Sequence, residues 1–105
     1  MFKALLFTCG SILVLANPAL SASADRGQAI ARENCGRCHA IGRVSPSPHK
    51  EAPPFRYVAR QGNPADLEEA LAEGIVVGHK DMPEIRLSPR DISDFIAYLK
   101  RLRQR

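Results

Sequence analysis

This 105-residue sequence has few cysteines and no clear strand pattern, and each of these features excludes a class of fold. The cysteines are Cys9, Cys35 and Cys38, too few for a scaffold built on several disulfides. No segment alternates β-branched with polar residues over the length of a strand, and the short run 75–77 lies too close to glycines. The sequence therefore predicts an all-α chain.

Long apolar runs and a strong excess of one charge are also missing. The apolar stretch 4–16 is interrupted by polar residues and glycine, whereas a membrane-spanning helix needs about 20 predominantly apolar residues. The net charge is +4, and the basic residues are scattered along the chain, so no nucleic-acid-binding function is indicated. Large apolar side chains are few, and domains below about 80 residues with a small core usually need an additional stabilising element such as a cofactor.

Residues 1–24 have the features of a secretory signal peptide. Lys3 supplies positive charge, the apolar stretch follows, Pro18 interrupts any helix, and Ala22-Ser23-Ala24 places small residues where a signal peptidase cuts. We expect cleavage before Asp25, a periplasmic location and a mature domain of residues 25–105. An uncleaved membrane anchor is the alternative, but the apolar stretch is short for it, and no stable membrane insertion is expected after cleavage.

Three main helices are predicted from their capping residues and apolar spacing. The first runs from about Asp25 to Cys35, and the second begins at Asn63-Pro64 and ends at Gly74. The third begins at Ser88-Pro89, and apolar residues then recur every three or four positions, as in an amphipathic helix. These positions are Ile92, Phe95, Ile96, Leu99 and Leu102. A proline-rich loop over 45–54 and a short helical turn around 55–60 lie between the first two helices.

The pentapeptide Cys35-Gly36-Arg37-Cys38-His39 has the Cys-x-x-Cys-His pattern of a c-type haem attachment site. Two thiols at this spacing reach the two vinyl groups of one porphyrin, and His39 then lies under the iron as the proximal ligand. Two other sites fit less well, because a thioredoxin-like pair needs a βαβ unit and a zinc site needs a fourth ligand. We therefore expect one covalently bound haem c, attached through Cys35 and Cys38.

Met82 is the candidate for the distal iron ligand. It is the one methionine outside the predicted signal peptide, and it lies in a polar loop beside Pro83 rather than on an apolar helix face. His79 is the alternative and would give a bis-histidine site. A thioether opposite an imidazole is the ligand pair of cytochromes c and raises the reduction potential.

With these residues in place, the chain resembles the small monohaem class I cytochromes c of bacteria over residues 25–105. Besides the pentapeptide and Met82-Pro83, the segment 94–100 resembles the last helix of that family. The resemblance implies the cytochrome c fold, with three main helices around one covalently attached haem. It also implies that Gly27 lies where the first helix crosses closely over the last, beside the aromatic Tyr98.

Two further positions follow from the same resemblance. The family has a proline whose carbonyl accepts the proton on the far nitrogen of the iron-binding histidine, and both Pro53 and Pro54 fit this position. Ala31 stands where many relatives have an aromatic residue, so looser packing of the first helix is expected.

The function that these features predict is single-electron transport between a donor and an acceptor redox protein, without enzymatic activity. We expect a monomer that docks transiently by electrostatic attraction. Four arginines are expected on the docking side and four acidic residues on the other: Arg32, Arg37, Arg43 and Arg56, against Asp66, Glu68, Glu69 and Glu73. Two alternatives stay open. One is a haem sensor or peroxidase-like protein in which a small ligand displaces Met82, and the other is a dedicated electron-transfer subunit of a dehydrogenase.

Overall fold

A computed structural model describes residues 4, 9–14, 21–74 and 81–104. In this part of the chain the helices are α1 (Ala24–Cys35), α2 (Phe55–Val58), α3 (Leu67–Glu73) and α4 (Pro89–Arg103), and a 3₁₀ turn (Pro64–Asp66) leads into α3. The described residues contain no strand, which confirms the all-α prediction. None of these helices is both long and apolar enough to cross a membrane.

Part of the sequence-based interpretation falls outside the described residues. Most of the predicted signal peptide lies there, and so does His79, the alternative distal ligand. Both stay predictions.

The predicted helix ends are confirmed by their capping contacts. Asn63 accepts a hydrogen bond from the backbone of Ala65 at 3.1 Å, and the hydroxyl of Ser88 accepts one from Asp91 at 3.1 Å. Gly74 ends α3 with a φ of 90°, a conformation that favours glycine. Helix α1 begins one residue earlier than predicted, because Ser23 provides its N-cap.

Helices α1 and α4 cross in direct backbone contact at Gly27. A Cβ atom on Gly27 would overlap the carbonyl of Asp94 and approach the backbone nitrogen of Phe95. The predicted close crossing is therefore present, and its nearest backbone lies one turn before Tyr98. Ala31 is fully buried in the core on the same helix.

The carboxylate of Asp94 holds the same crossing together. It is 2% exposed, and it accepts hydrogen bonds from the backbone of Ser23 at 2.8 Å and from the guanidinium of Arg26 at 2.5 Å. Arg26 also forms an ion pair with Asp91 at 2.7 Å. The Ser23 hydrogen bond, reinforced by Arg26, lowers the pKa of Asp94 below its usual range. Asp94 therefore stays ionised in the core and links the start of α1 to α4.

The other end of α4 is closed by a side chain from a distant loop. The guanidinium of Arg43 donates to the backbone carbonyls of Arg101 at 3.0 Å, Gln104 at 2.9 Å and Leu102 at 3.4 Å. These carbonyls lie in the last turn, where helical partners run out. Arg43 thus connects the loop after the pentapeptide to the C-terminal end of α4.

Candidate functional site

The pentapeptide forms a tight turn at the end of α1. The carbonyl of Cys35 accepts hydrogen bonds from the backbone of Cys38 at 3.1 Å and of His39 at 2.9 Å. As a result, the two thiols and the imidazole lie along one wall of a cavity of about 770 Å³. The structure therefore brings together the three residues that the motif predicted.

The imidazole of His39 is oriented by the proline-rich loop. Its Nδ1 lies 2.7 Å from the carbonyl oxygen of Pro53. Because a carbonyl only accepts hydrogen bonds, Nδ1 carries the proton and Nε2 keeps its lone pair for a metal. Pro53, rather than Pro54, is thus the proline that holds the histidine.

Phe55 lies face to face with the same imidazole. The two ring centroids are 4.6 Å apart, and the ring planes differ by 12°. Phe55 is buried, and its backbone donates to the carbonyl of Ala40, the residue after His39, at 3.0 Å. No role for Phe55 was predicted from the sequence, because its contact with His39 depends on how the fold places the proline-rich loop.

Met82 lines the same cavity as Cys35, Cys38 and His39. Its side chain is half-buried in the loop between α3 and α4. The neighbouring carboxylate of Asp81 lies 3.6 Å from Nε2 of His49, and the backbone of His49 donates to the carbonyl of Cys38 at 3.1 Å. His49 therefore connects the pentapeptide turn to the loop that carries Met82, a contact that the sequence did not predict.

The remaining wall of the cavity is mostly apolar. It is formed largely by side chains from α2, α3, α4 and the loop before α4, among them Val58, Leu67, Leu71, Ile85, Leu87 and Phe95. Cavities that bind small molecules and cofactors typically measure about 300–1,000 Å³ and have a largely apolar lining. In size and lining the cavity fits a flat apolar macrocycle that is held from one wall by two thiols and an imidazole.

A zinc site and a reactive thiol pair fit this geometry less well. Among the described residues, no group of three His, Cys, Asp or Glu side chains is arranged to hold a metal ion. Burial raises the pKa of the Cys35 thiol to about 11, and the neighbouring Cys38 adds to the shift. Reactive cysteines need the opposite change, because the thiolate is the nucleophile.

Comparison with known proteins identifies the family. The family model described as cytochrome C oxidase, cbb3-type, subunit III matches residues 22–99. The chain belongs to the cytochrome c family. Cytochrome c-552 of Bradyrhizobium diazoefficiens is 33% identical over 99 residues, which cover 90% of this chain and 93% of that protein. Cytochrome c6 of a Picosynechococcus species is 30% identical over 95 residues, which cover 85% of this chain and 81% of that protein. No solved structure matches the chain significantly.

Membership of the cytochrome c family establishes the protein as a small monohaem class I cytochrome c. It carries one covalently bound haem c and transfers electrons to and from redox partners rather than acting as an enzyme. When bound, haem c supplies a one-electron iron couple. The donor set fits this group, because two thiols at the attachment spacing, an imidazole with a free Nε2 and a thioether all face one apolar cavity.

The arginines expected on the docking side make different contacts in the structure. Arg37 lies at the cavity, but Arg43 is bound to the end of α4. Arg56 donates to the carbonyl of Ser45 at 2.6 Å and lies over the ring of Tyr57 at 5.3 Å. Acidic residues also line the cavity, namely Glu33, Glu51 and Asp81. The surface around the site is thus mixed in charge rather than uniformly basic.

Proposed function

We propose that the protein is a periplasmic electron carrier with a histidine–methionine iron site. In this proposal Cys35 and Cys38 form the two thioethers to haem, His39 is the proximal iron ligand and Met82 is the distal one. The main support is the hydrogen bond from Nδ1 of His39 to Pro53, which leaves Nε2 as the metal-binding nitrogen. Met82 provides a soft sulfur donor on the same cavity.

In this proposal the protein has two tasks besides ligation. The carbonyl of Pro53 fixes the tautomer of His39 and raises its basicity as a ligand. The apolar wall, including Leu67 and Phe95, would keep water away from the bound haem, and the low dielectric constant around the iron would influence its reduction potential. With His39 and Met82 both bound to the iron, no exchangeable position would be left for a small ligand, as an electron carrier requires.

Replacement of Met82 tests the distal assignment. Met82→Ala in the holoprotein should abolish the weak red sulfur-to-iron charge-transfer band and lower the reduction potential. The matched control is Ile85→Ala, which shortens another half-buried apolar side chain of the same loop and cavity but removes no sulfur. The band and potential should stay close to wild type in the control. An unchanged spectrum and potential in Met82→Ala would contradict the assignment.

Carbon monoxide distinguishes the carrier from a gas sensor or peroxidase-like protein. Reduced wild-type protein should show no response, because the thioether occupies the distal position, whereas reduced Met82→Ala should bind the gas. Rapid binding by the wild type would favour the alternative in which Met82 is displaced.

Partner association distinguishes a diffusing carrier from a dedicated subunit. We propose a monomer that docks transiently, whereas the description of the family model, a subunit of a cytochrome c oxidase, names the kind of complex that the subunit alternative would involve. Size-exclusion chromatography of the native holoprotein should give a monomer, and electron-transfer rates should change with ionic strength. Stable co-purification with one dehydrogenase or oxidase would favour the subunit interpretation.

The export proposal includes cleavage before Asp25. The intact mass of the holoprotein from the periplasmic fraction should correspond to residues 25–105 plus haem. A cut at this point would remove Ser23, which caps α1 and donates to Asp94. A mass that retains Ser23 would move the domain boundary, and recovery of the holoprotein only in the cytoplasm would contradict export.

A further inference from the structure

The ring of His39 is held by two contacts that come from one short segment. Pro53 accepts the Nδ1 proton, and the ring of Phe55 covers one face of the imidazole. A hydrogen bond to a carbonyl tolerates a broad range of directions, so it restrains the position of Nδ1 more than the rotation of the ring plane. A parallel aromatic ring at 4.6 Å restrains that rotation directly.

The ring of Phe55 is itself held in place by its neighbours, so it can restrain the rotation of the imidazole. It is 6% exposed, and its ring packs edge-on against Phe95 at 5.5 Å and Tyr98 at 6.4 Å, both on α4. Its backbone N–H donates a hydrogen bond to the carbonyl of Ala40, the residue after His39. A rotation of the imidazole by more than a few degrees would therefore displace a ring that α4 keeps in place.

We propose that Phe55 is a positioning residue that sets the rotational orientation of the His39 imidazole, and with it the plane in which the proximal ligand meets the iron. This inference rests on the proposed function, because it takes His39 as the iron ligand. Phe55 acts through the histidine, so its effect should appear in properties that depend on the ligand plane. The proton shifts of the four haem methyl groups in the ferric protein are such a property, because their pattern in low-spin iron depends on the imidazole plane together with the orientation of the second ligand.

The test compares two variants of the ferric holoprotein by proton NMR. Phe55→Leu removes the flat face beside His39, and Leu102→Ala is the control, because Leu102 is buried to a similar degree at 5% exposure but is not among the residues that line the cavity. We expect the four methyl shifts to change in spread or order in Phe55→Leu and to stay close to wild type in Leu102→Ala. Phe55→Tyr keeps an aromatic face and should restore the wild-type pattern. Thermal unfolding of all variants shows how much stability each one loses.

The outcomes separate this inference from the proposed function. A wild-type pattern in Phe55→Leu, or an equal change in Leu102→Ala, would overturn the role of Phe55. If Phe55→Leu gives no folded holoprotein, Phe55→Met replaces it, since methionine fills similar space without a flat face. A wild-type pattern in that variant would overturn the inference equally. If the wild type itself shows no low-spin, histidine-ligated spectrum, the proposed function fails instead.

Discussion

Substitution of Gly27 by alanine should destabilise the protein although alanine is the better helix former. In a helix, Gly→Ala alone contributes about 1 kcal/mol in favour of folding. The added methyl, however, would overlap the carbonyl of Asp94, and the obstacle is backbone that a side-chain rotation does not move. Separating α1 from α4 by on the order of 1 Å forfeits a quarter to a half of the dispersion energy across the contact.

The cost of overpacking and the gain in helix propensity act in opposite directions on the free energy of unfolding. Overpacking in a core costs about 1–3 kcal/mol, and a backbone obstacle places Gly27→Ala at the upper end of that range. Subtracting the gain in helix propensity leaves a loss of about 2 kcal/mol in the free energy of unfolding. For a domain of this size, about 4–8 °C of Tm correspond to each kcal/mol, so the Tm should fall by roughly 10 °C.

The assay is thermal unfolding of the holoprotein, followed by circular dichroism in the far ultraviolet. Gly62→Ala is the control, because a Cβ at Gly62 meets no atom within 4 Å and the backbone φ there is not positive. The control should be neutral or slightly stabilised, since alanine restricts the unfolded chain. A Tm for Gly27→Ala at or above that of wild type would refute the close crossing as the reason for glycine.

Two further predictions concern pH. In protein that retains Ser23, Asp94 has a lowered pKa, so its contribution to stability is present above its unfolded value of 3.8 and is lost as the pH falls through its folded value. Asp94→Asn should therefore be less stable than the unsubstituted protein at neutral pH, with a difference that narrows in acid denaturation series below about pH 4. A constant difference would contradict the assignment. Burial raises the pKa of Tyr98 from 10.0 to about 12, so the wild type should lose stability above about pH 10. Tyr98→Phe should lack that alkaline loss of stability, as measured by urea unfolding. At neutral pH it should be about 1 kcal/mol less stable than wild type, because it loses the hydrogen bond to the carbonyl of Ile41. An equal decrease of stability with pH in both proteins would argue against Tyr98 as the source.

Local signals in the sequence predicted the helix boundaries well. Asn63-Pro64, Gly74 and Ser88-Pro89 act through their own backbone preferences and nearest neighbours, so the required information lies within a few residues. The pentapeptide behaves in the same way, because the spacing of Cys35, Cys38 and His39 determines that they share a turn.

Contacts between distant segments were not predictable in the same way. The choice between Pro53 and Pro54 depends on which carbonyl the fold directs at His39, a separation of 14 residues along the chain. The role of Phe55 depends in addition on α4, which holds its ring from the far end of the sequence. The contacts of Arg43 and Arg56 were not predictable for a similar reason, because a list of charged residues does not reveal the carbonyl groups that each arginine binds.

The position of Arg43 also bears on how far the charge of this protein extends. The C-terminal end of a helix has the equivalent of about half a negative charge, and the guanidinium of Arg43 lies directly on that end of α4. Much of its field is neutralised at close range before it can reach an approaching molecule. A count of lysines and arginines therefore overstates the attraction felt at a distance, because part of the positive charge is offset within the molecule.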